Sequence, residues 1–162
     1  RQACIDTKLD EQWVDALLAL MAVESGGNVD VESVEGVAGD VMQAAEGAYG
    51  KIVKKGSKKY GLAAETPQAS IYAGVLELKQ NLKLWRKYLN GIGVSETGEI
   101  QLVVQGYNFG ADGWYKWCKK RGISVYTVEA AQEYSDTKMP EDAKGTPTHA
   151  EKWLGFYEMM RG

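Results

Sequence analysis

Apolar residues in this chain recur at the spacing of one helix face, and no stretch alternates apolar and polar for long enough to predict a strand. That periodicity predicts a mainly α domain, because residues three and four apart share a helix face while strand neighbours alternate. The strongest case is Asp10 to Ser25. Trp13, Val14, Leu17, Leu18, Leu20, Met21 and Val23 form a stripe wide enough for a deeply buried helix. Asp10 suits the cap and Glu11 the first turn, where the helix dipole favours negative charge. Gly26-Gly27 supplies the stop.

Thr66-Pro67 opens a second helix, with a capping hydroxyl followed by proline at the first helical position. It runs through Ile71, Val75, Leu78, Leu82 and Trp85 to about Leu89, where Asn90-Gly91 ends it. Further helices are predicted from about Glu99 to Asn108, from Asp112 to Arg121 and from Val128 to Tyr134. A last one starts at Thr148, which forms a capping-box pattern with Glu151. The long segment from Asn28 to Glu65 is irregular and punctuated by glycine. Lying between the first two main helices, it is the natural place for a site carried on loops.

The 162 residues suit one domain, and the stretch from Asp136 to Pro147 reads as a polar linker inside it. A net charge of −3 gives no basic signature for a nucleic-acid partner. The longest apolar run, Ala16 to Val23, falls well short of the ~20 residues of a membrane span. With one histidine, His149, and two distant cysteines, the chain offers no zinc-type ligand spacing. Cys4 and Cys118 admit two readings: a bridge that would stabilise by closing a long loop, or two separate thiols. Neither opens a helix that would stabilise a thiolate, which argues against a cysteine peptidase built with His149.

Three stretches carry side chains suited to chemistry. In Ala22-Val23-Glu24-Ser25-Gly26-Gly27 a carboxylate ends a hydrophobic helix. The negative end of the dipole and the apolar neighbours both favour its protonated form, the form a general acid needs. An ordinary surface glutamate fits the same residues. In Gly39-Asp40-Val41-Met42-Gln43-Ala44-Ala45-Glu46, a glycine leads into an apolar side chain and a bifunctional amide. Such a turn would place Gln43 against a sugar or against Glu24; a plain loop with Met42 in the core is the alternative. In Gly106-Tyr107-Asn108-Phe109-Gly110, Tyr107 and Asn108 suit sugar hydroxyls and acetamido groups, or else a buried ring and a helix stop.

Taken in order, these blocks resemble the lysozyme-like fold of goose-type lysozymes and soluble lytic transglycosylases, whose pattern is Glu-Ser, Gly-Leu-Met-Gln, then Ala-Tyr-Asn-x-Gly. The lysozyme-like domain of CwlT-like bacterial cell-wall hydrolases is the closer resemblance. Glu24-Ser25-Gly26-Gly27, Asp40-Val41-Met42-Gln43-Ala44-Ala45-Glu46 and Ser70-Ile71-Tyr72-Ala73-Gly74-Val75 are similar to its Glu-Ser-Gly-Gly, Asp-Pro-Met-Gln-Ser-Ser-Glu and Ser-Ile-x-x-Gly-Val. The likeness runs from about Leu17 to Gly110. Val41 stands in place of the proline and Ala44-Ala45 in place of the serines, so hydroxyl contacts from those serines are absent here. Gly47 to Ala64 is longer than the group's norm. Its Lys51, Lys54, Lys55, Lys58 and Lys59 either attract anionic wall polymers or form a solvated surface.

The resemblance implies a peptidoglycan glycan-strand hydrolase, an N-acetylmuramidase, with Glu24 protonating the leaving oxygen. Ser25, Met42, Gln43, Tyr107 and Asn108 are its implied substrate-binding residues. A hydrolase also needs a second carboxylate as base or nucleophile. Asp30, Glu32, Glu35, Asp40 and Glu46 are candidates, Glu46 and Asp30 first, with Asp40 suited instead to hold the turn. A lytic transglycosylase needs no second carboxylate, because the muramic 6-hydroxyl closes an anhydro ring. A non-catalytic glycan-binding module is the third reading. No cofactor is implied, since acid catalysis on a glycoside needs none. By the same resemblance the chain is one domain of a longer, secreted or membrane-anchored protein. Its implied partners are glycan strands, a C-terminal NlpC-type peptidase domain and a conjugation or secretion apparatus.

Overall fold

The computed structural model describes residues 1–33, 36–44 and 57–162, without the side chains of residues 57 and 58. It is mainly helical, as the periodicity predicts. Among the described residues there is no strand, only one antiparallel bridge between Glu32 and Ala38. The chain forms two compact units, Arg1–Lys79 with Phe156–Gly162, and Gln80–Gly155.

The first unit begins with α1 (Gln2–Thr7), which the sequence reading does not anticipate because its six residues are too few to show a period. Lys8, in the left-handed conformation at φ 58°, closes it. The Lys79 ammonium donates to the Thr7 and Lys8 carbonyls, taking up acceptors that a helix end leaves open. A 3₁₀ turn (Glu11–Trp13) then leads into α2 (Val14–Ser25), and the Asp10 carboxylate accepts the Gln12 N–H at 3.1 Å. Trp13, Ala16, Leu17, Ala19 and Leu20 are the buried face. The short α3 (Ser57–Tyr60) lies within the stretch expected to be irregular.

Helix α4 (Pro67–Leu89) starts at the expected cap, where the Thr66 hydroxyl accepts the Ala69 N–H at 3.2 Å. In the first unit it buries Ala69, Ser70, Tyr72, Ala73, Val75 and Leu78. A cavity of about 100 Å³ is lined by Cys4, Leu17, Leu18, Met21, Met42 and Val75, among others.

In the second unit α5 (Glu96–Phe109) begins earlier than the apolar pattern suggests. The Ser95 hydroxyl accepts the Gly98 N–H at 3.1 Å, so a polar capping turn precedes the first buried residue, Ile100. Helix α6 (Ala111–Arg121) ends at Gly122, φ 70°. Helix α7 (Val128–Lys138) runs one turn past Tyr134, because buried Ser135 continues the inward face and its carbonyl accepts the Met139 N–H. A 3₁₀ turn (Glu141–Ala143) precedes α8 (His149–Arg161), whose last residues belong to the first unit. Phe109, Trp114, Trp117 and Tyr134 pack with ring centroids 5.2–5.6 Å apart. The Trp114 indole donates to the Leu102 carbonyl at 3.0 Å, which satisfies its one buried polar group. Cys4 and Cys118 are buried free thiols, so the bridge that the sequence admitted is not formed. Burial pushes the pKa of each thiol up.

Candidate active site

Glu24 is the penultimate residue of α2. What fixes it there is the helix end itself. Gly26, at φ 64°, donates its N–H to the Ala22 carbonyl at 3.0 Å. The Ser25 hydroxyl donates to the Met21 carbonyl and accepts the Gly27 N–H, both at 3.2 Å. Glu24 is half-buried, and its Oε1 is shielded from solvent. Its carboxyl therefore sits on a rigid element, close to the last carbonyls of a helix and partly out of water.

The Gly39–Ala44 turn packs on α4. Gly39, at φ 69°, lies against the Pro67 ring, where an added Cβ would come within 2.9 Å of the ring carbon. Asp40 is 2% exposed. Its Oδ1 accepts the Ser70 hydroxyl at 2.6 Å and the Ala44 N–H at 3.2 Å. The Ser70 oxygen in turn accepts the Met42 N–H at 2.9 Å. Asp40 thus serves the turn, as its residue type suggested. Met42 is buried in the cavity shared with Met21, and Gly74 makes room for it. This seats the turn on α2 three residues before Glu24. Gln43 follows in a left-handed conformation, φ 44°, and its amide N–H₂ donates to the Asp40 carbonyl at 2.8 Å and the Glu32 carbonyl at 3.3 Å.

Of the proposed second carboxylates, Asp30 and Glu32 are exposed. The Asp30 backbone N–H is held by the Asn28 side chain at 3.0 Å. Glu35 and Glu46 lie outside the described residues, as do Lys51, Lys54, Lys55 and the side chain of Lys58. Lys59 is exposed and stands 5.0 Å from the Tyr60 ring centre. Among the described residues, no group of three or more His, Cys, Asp or Glu side chains is placed to hold a metal ion.

Tyr107 and Asn108 lie in the second unit, near the end of α5. Tyr107 is buried and Asn108 half-buried. The Asn108 Oδ1 accepts the Thr146 N–H at 2.6 Å, and Gly145 packs so closely that a Cβ would come within 2.5 Å of that oxygen. One turn earlier, fully buried Gln105 donates to the Thr146 carbonyl at 3.0 Å and accepts the Ala150 N–H at 3.2 Å. Sequence reasoning passed over Gln105. Its only signal is an amide inside an otherwise apolar stripe, a residue type that can satisfy one donor and one acceptor together.

A family model described as lysozyme-like matches residues 2–159. The chain belongs to the lysozyme-like family, whose members are in general glycoside hydrolases or lytic transglycosylases that cleave cell-wall glycan. A comparison with curated proteins gave no match.

Proposed function

We propose that the chain is an N-acetylmuramidase that cleaves the β-1,4 bond between N-acetylmuramic acid and N-acetylglucosamine in peptidoglycan, with Glu24 as general acid. The observation that carries this reading is the Glu24 carboxyl, one oxygen shielded from solvent, on a capped helix end beside the turn that bears Met42 and Gln43. A positioned acid of this kind typically accelerates glycoside cleavage ~10²–10⁴-fold. Ser25, Met42, Gln43, Tyr107 and Asn108 are the proposed substrate-binding set. Glu46 and Asp30 are the proposed second carboxylates, activating water or forming the glycosyl intermediate. The resemblance to CwlT-like hydrolases supports a site of action outside the cytoplasm, as one domain of a longer wall-opening protein that works with a peptidase domain and a conjugation or secretion apparatus.

Lytic transglycosylation is the second reading. It is favoured by one observation: Asp40, a candidate carboxylate three residues before Gln43, is buried and bonded to Ser70 and Ala44. Mass spectrometry of the glycan ends separates the two chemistries. Ordinary reducing ends support hydrolysis, and 1,6-anhydromuramic ends replace it with transglycosylation. A chain that binds glycan strands without cutting them is a binding module.

A further inference from the structure

We propose that Asp40 and Ser70 are a positioning pair that holds Gln43 in its left-handed conformation, so that its amide carbonyl faces the glycan. This rests on reading Gln43 as a glycan-binding residue. Three residues of α4 seat the turn on the helix: Pro67 abuts Gly39, Ser70 bonds Asp40 and Met42, and Gly74 admits Met42. Their spacing puts all three on one face of the helix. Ser70 acts in both directions, donating to Asp40 Oδ1 at 2.6 Å and accepting the Met42 N–H at 2.9 Å. A hydroxyl does both through one atom. Asp40 Oδ1 collects a second donor, the Ala44 N–H, so the residues on either side of Gln43 are both tied to the pair.

Between those ties sits Gln43 at φ 44°, a conformation that disfavours any residue with a Cβ and persists where surroundings impose it. The Gln43 side chain is also half committed. Its nitrogen bonds the Asp40 and Glu32 carbonyls, and its oxygen has no partner among the described residues. An amide fixed through its nitrogen presents a single acceptor, suited to an acetamido N–H or a sugar hydroxyl. The Asp40 carboxylate therefore acts through Gln43 and does not touch the substrate.

The test compares Ser70→Ala, Asp40→Asn, Gln43→Ala and the Ser70→Ala/Gln43→Ala double variant on soluble glycan strands. It reads kcat and KM, together with hydrogen exchange at the Met42 and Ala44 amides. Ser70→Ala should lower kcat/KM roughly 10–100-fold, by analogy with the loss seen when the hydrogen-bond partner orienting a metal-ligating side chain is removed. The double variant should be no worse than Gln43→Ala, since both changes remove one function. Asp40→Asn keeps an Oδ1 acceptor but loses the carboxylate charge, and should lose less kcat/KM than Ser70→Ala. Ser70→Cys keeps the shape and weakens both hydrogen bonds, and it carries the same expectation if Ser70→Ala does not fold. Wild-type kinetics in the Ser70 variants, or an Asp40→Asn variant as inactive as Glu24→Gln, overturns the proposal; the second result would put the carboxylate in the chemistry itself. If the wild-type chain cleaves no glycan, the muramidase reading fails, and the amides then decide the pair. Faster exchange at Met42 and Ala44 in Ser70→Ala supports it, and unchanged exchange overturns it.

Discussion

The side-chain oxygen of Asn108 accepts the Thr146 N–H at 2.6 Å, while Gln105, one turn earlier on the same face of α5, takes the Thr146 carbonyl and the Ala150 N–H. Two amides on one helix thus clamp the segment that leads into α8. Asn108, proposed to bind substrate, already spends one of its two Oδ1 lone pairs on the fold.

Removing the buried amide of Gln105 should cost stability. Gln105→Leu leaves the Ala150 N–H without its acceptor, at about 1–3 kcal/mol for a buried group left unsatisfied, while the Thr146 carbonyl keeps the His149 N–H at 3.0 Å. The urea midpoint should fall with an unchanged slope. Asn108→Asp keeps the acceptor and should lose less than Asn108→Ala. Equal midpoints for Gln105→Leu and wild type would remove the clamp from the account.

Two glycines of the first unit separate backbone strain from collision. Gly27, at φ 75°, has open space where a Cβ would go, so Gly27→Ala should cost only the left-handed penalty, ~1–2 kcal/mol. Gly39, at φ 69°, has the Pro67 ring within 2.9 Å of that position. Gly39→Ala should therefore lose roughly 1–3 kcal/mol more, the scale of overpacking. Denaturant unfolding of both variants is the check, and Gly39→Ala no weaker than Gly27→Ala would contradict the close packing of the turn on α4.

Tyr72 links two limbs of the pH–stability curve. Its hydroxyl donates to Asp6, and with the Gln2 amide this holds the Asp6 carboxyl below its usual range. A lowered folded-state pKa gives stability that is present above about pH 4 and lost as pH falls through the folded value. Burial, reinforced by Asp6, pushes Tyr72 up to about 12. A raised pKa gives stability that is complete below about pH 10 and lost as pH rises towards 12. Tyr72→Phe should flatten both limbs relative to wild type in thermal unfolding across pH. The same offset at every pH would show that packing alone is lost.

Both thiols are buried with raised pKa values, so each is held in the unreactive protonated form. A colorimetric disulfide reagent at pH 8 should label native protein slowly and label two cysteines per chain once urea is added. Rapid labelling of Cys118 in the native state would contradict its burial.

The helices that the sequence announced are those whose ends carry chemistry of their own. Thr66, Gly26 and Gly122 are caps or stops of α-helices in the structure, and the boundaries next to them were legible, whereas Asp10 caps a 3₁₀ turn and α2 begins only at Val14. Helix α1 was not, because it is anchored from outside by Lys79 across a sequence distance that no local pattern reveals. The turn role of Asp40 followed from residue type; its partner Ser70, 30 positions away, did not. Glu24 was visible as a carboxylate on a buried helix end, and the structure adds the shielded oxygen and the Met21–Met42 seat beside it. Gln105 stayed hidden because one amide inside an apolar stripe looks the same whether it meets backbone or solvent.

In the proposed reaction Glu24 delivers the proton to the glycosidic oxygen. Clearing of a peptidoglycan suspension by wild type and by Glu24→Gln, compared at equal concentration after thermal unfolding has confirmed that both are folded, tests it most directly. Wild type should clear the suspension, and Glu24→Gln should be slower by ~10²-fold or more. Clearing at equal rates by the two proteins would contradict it.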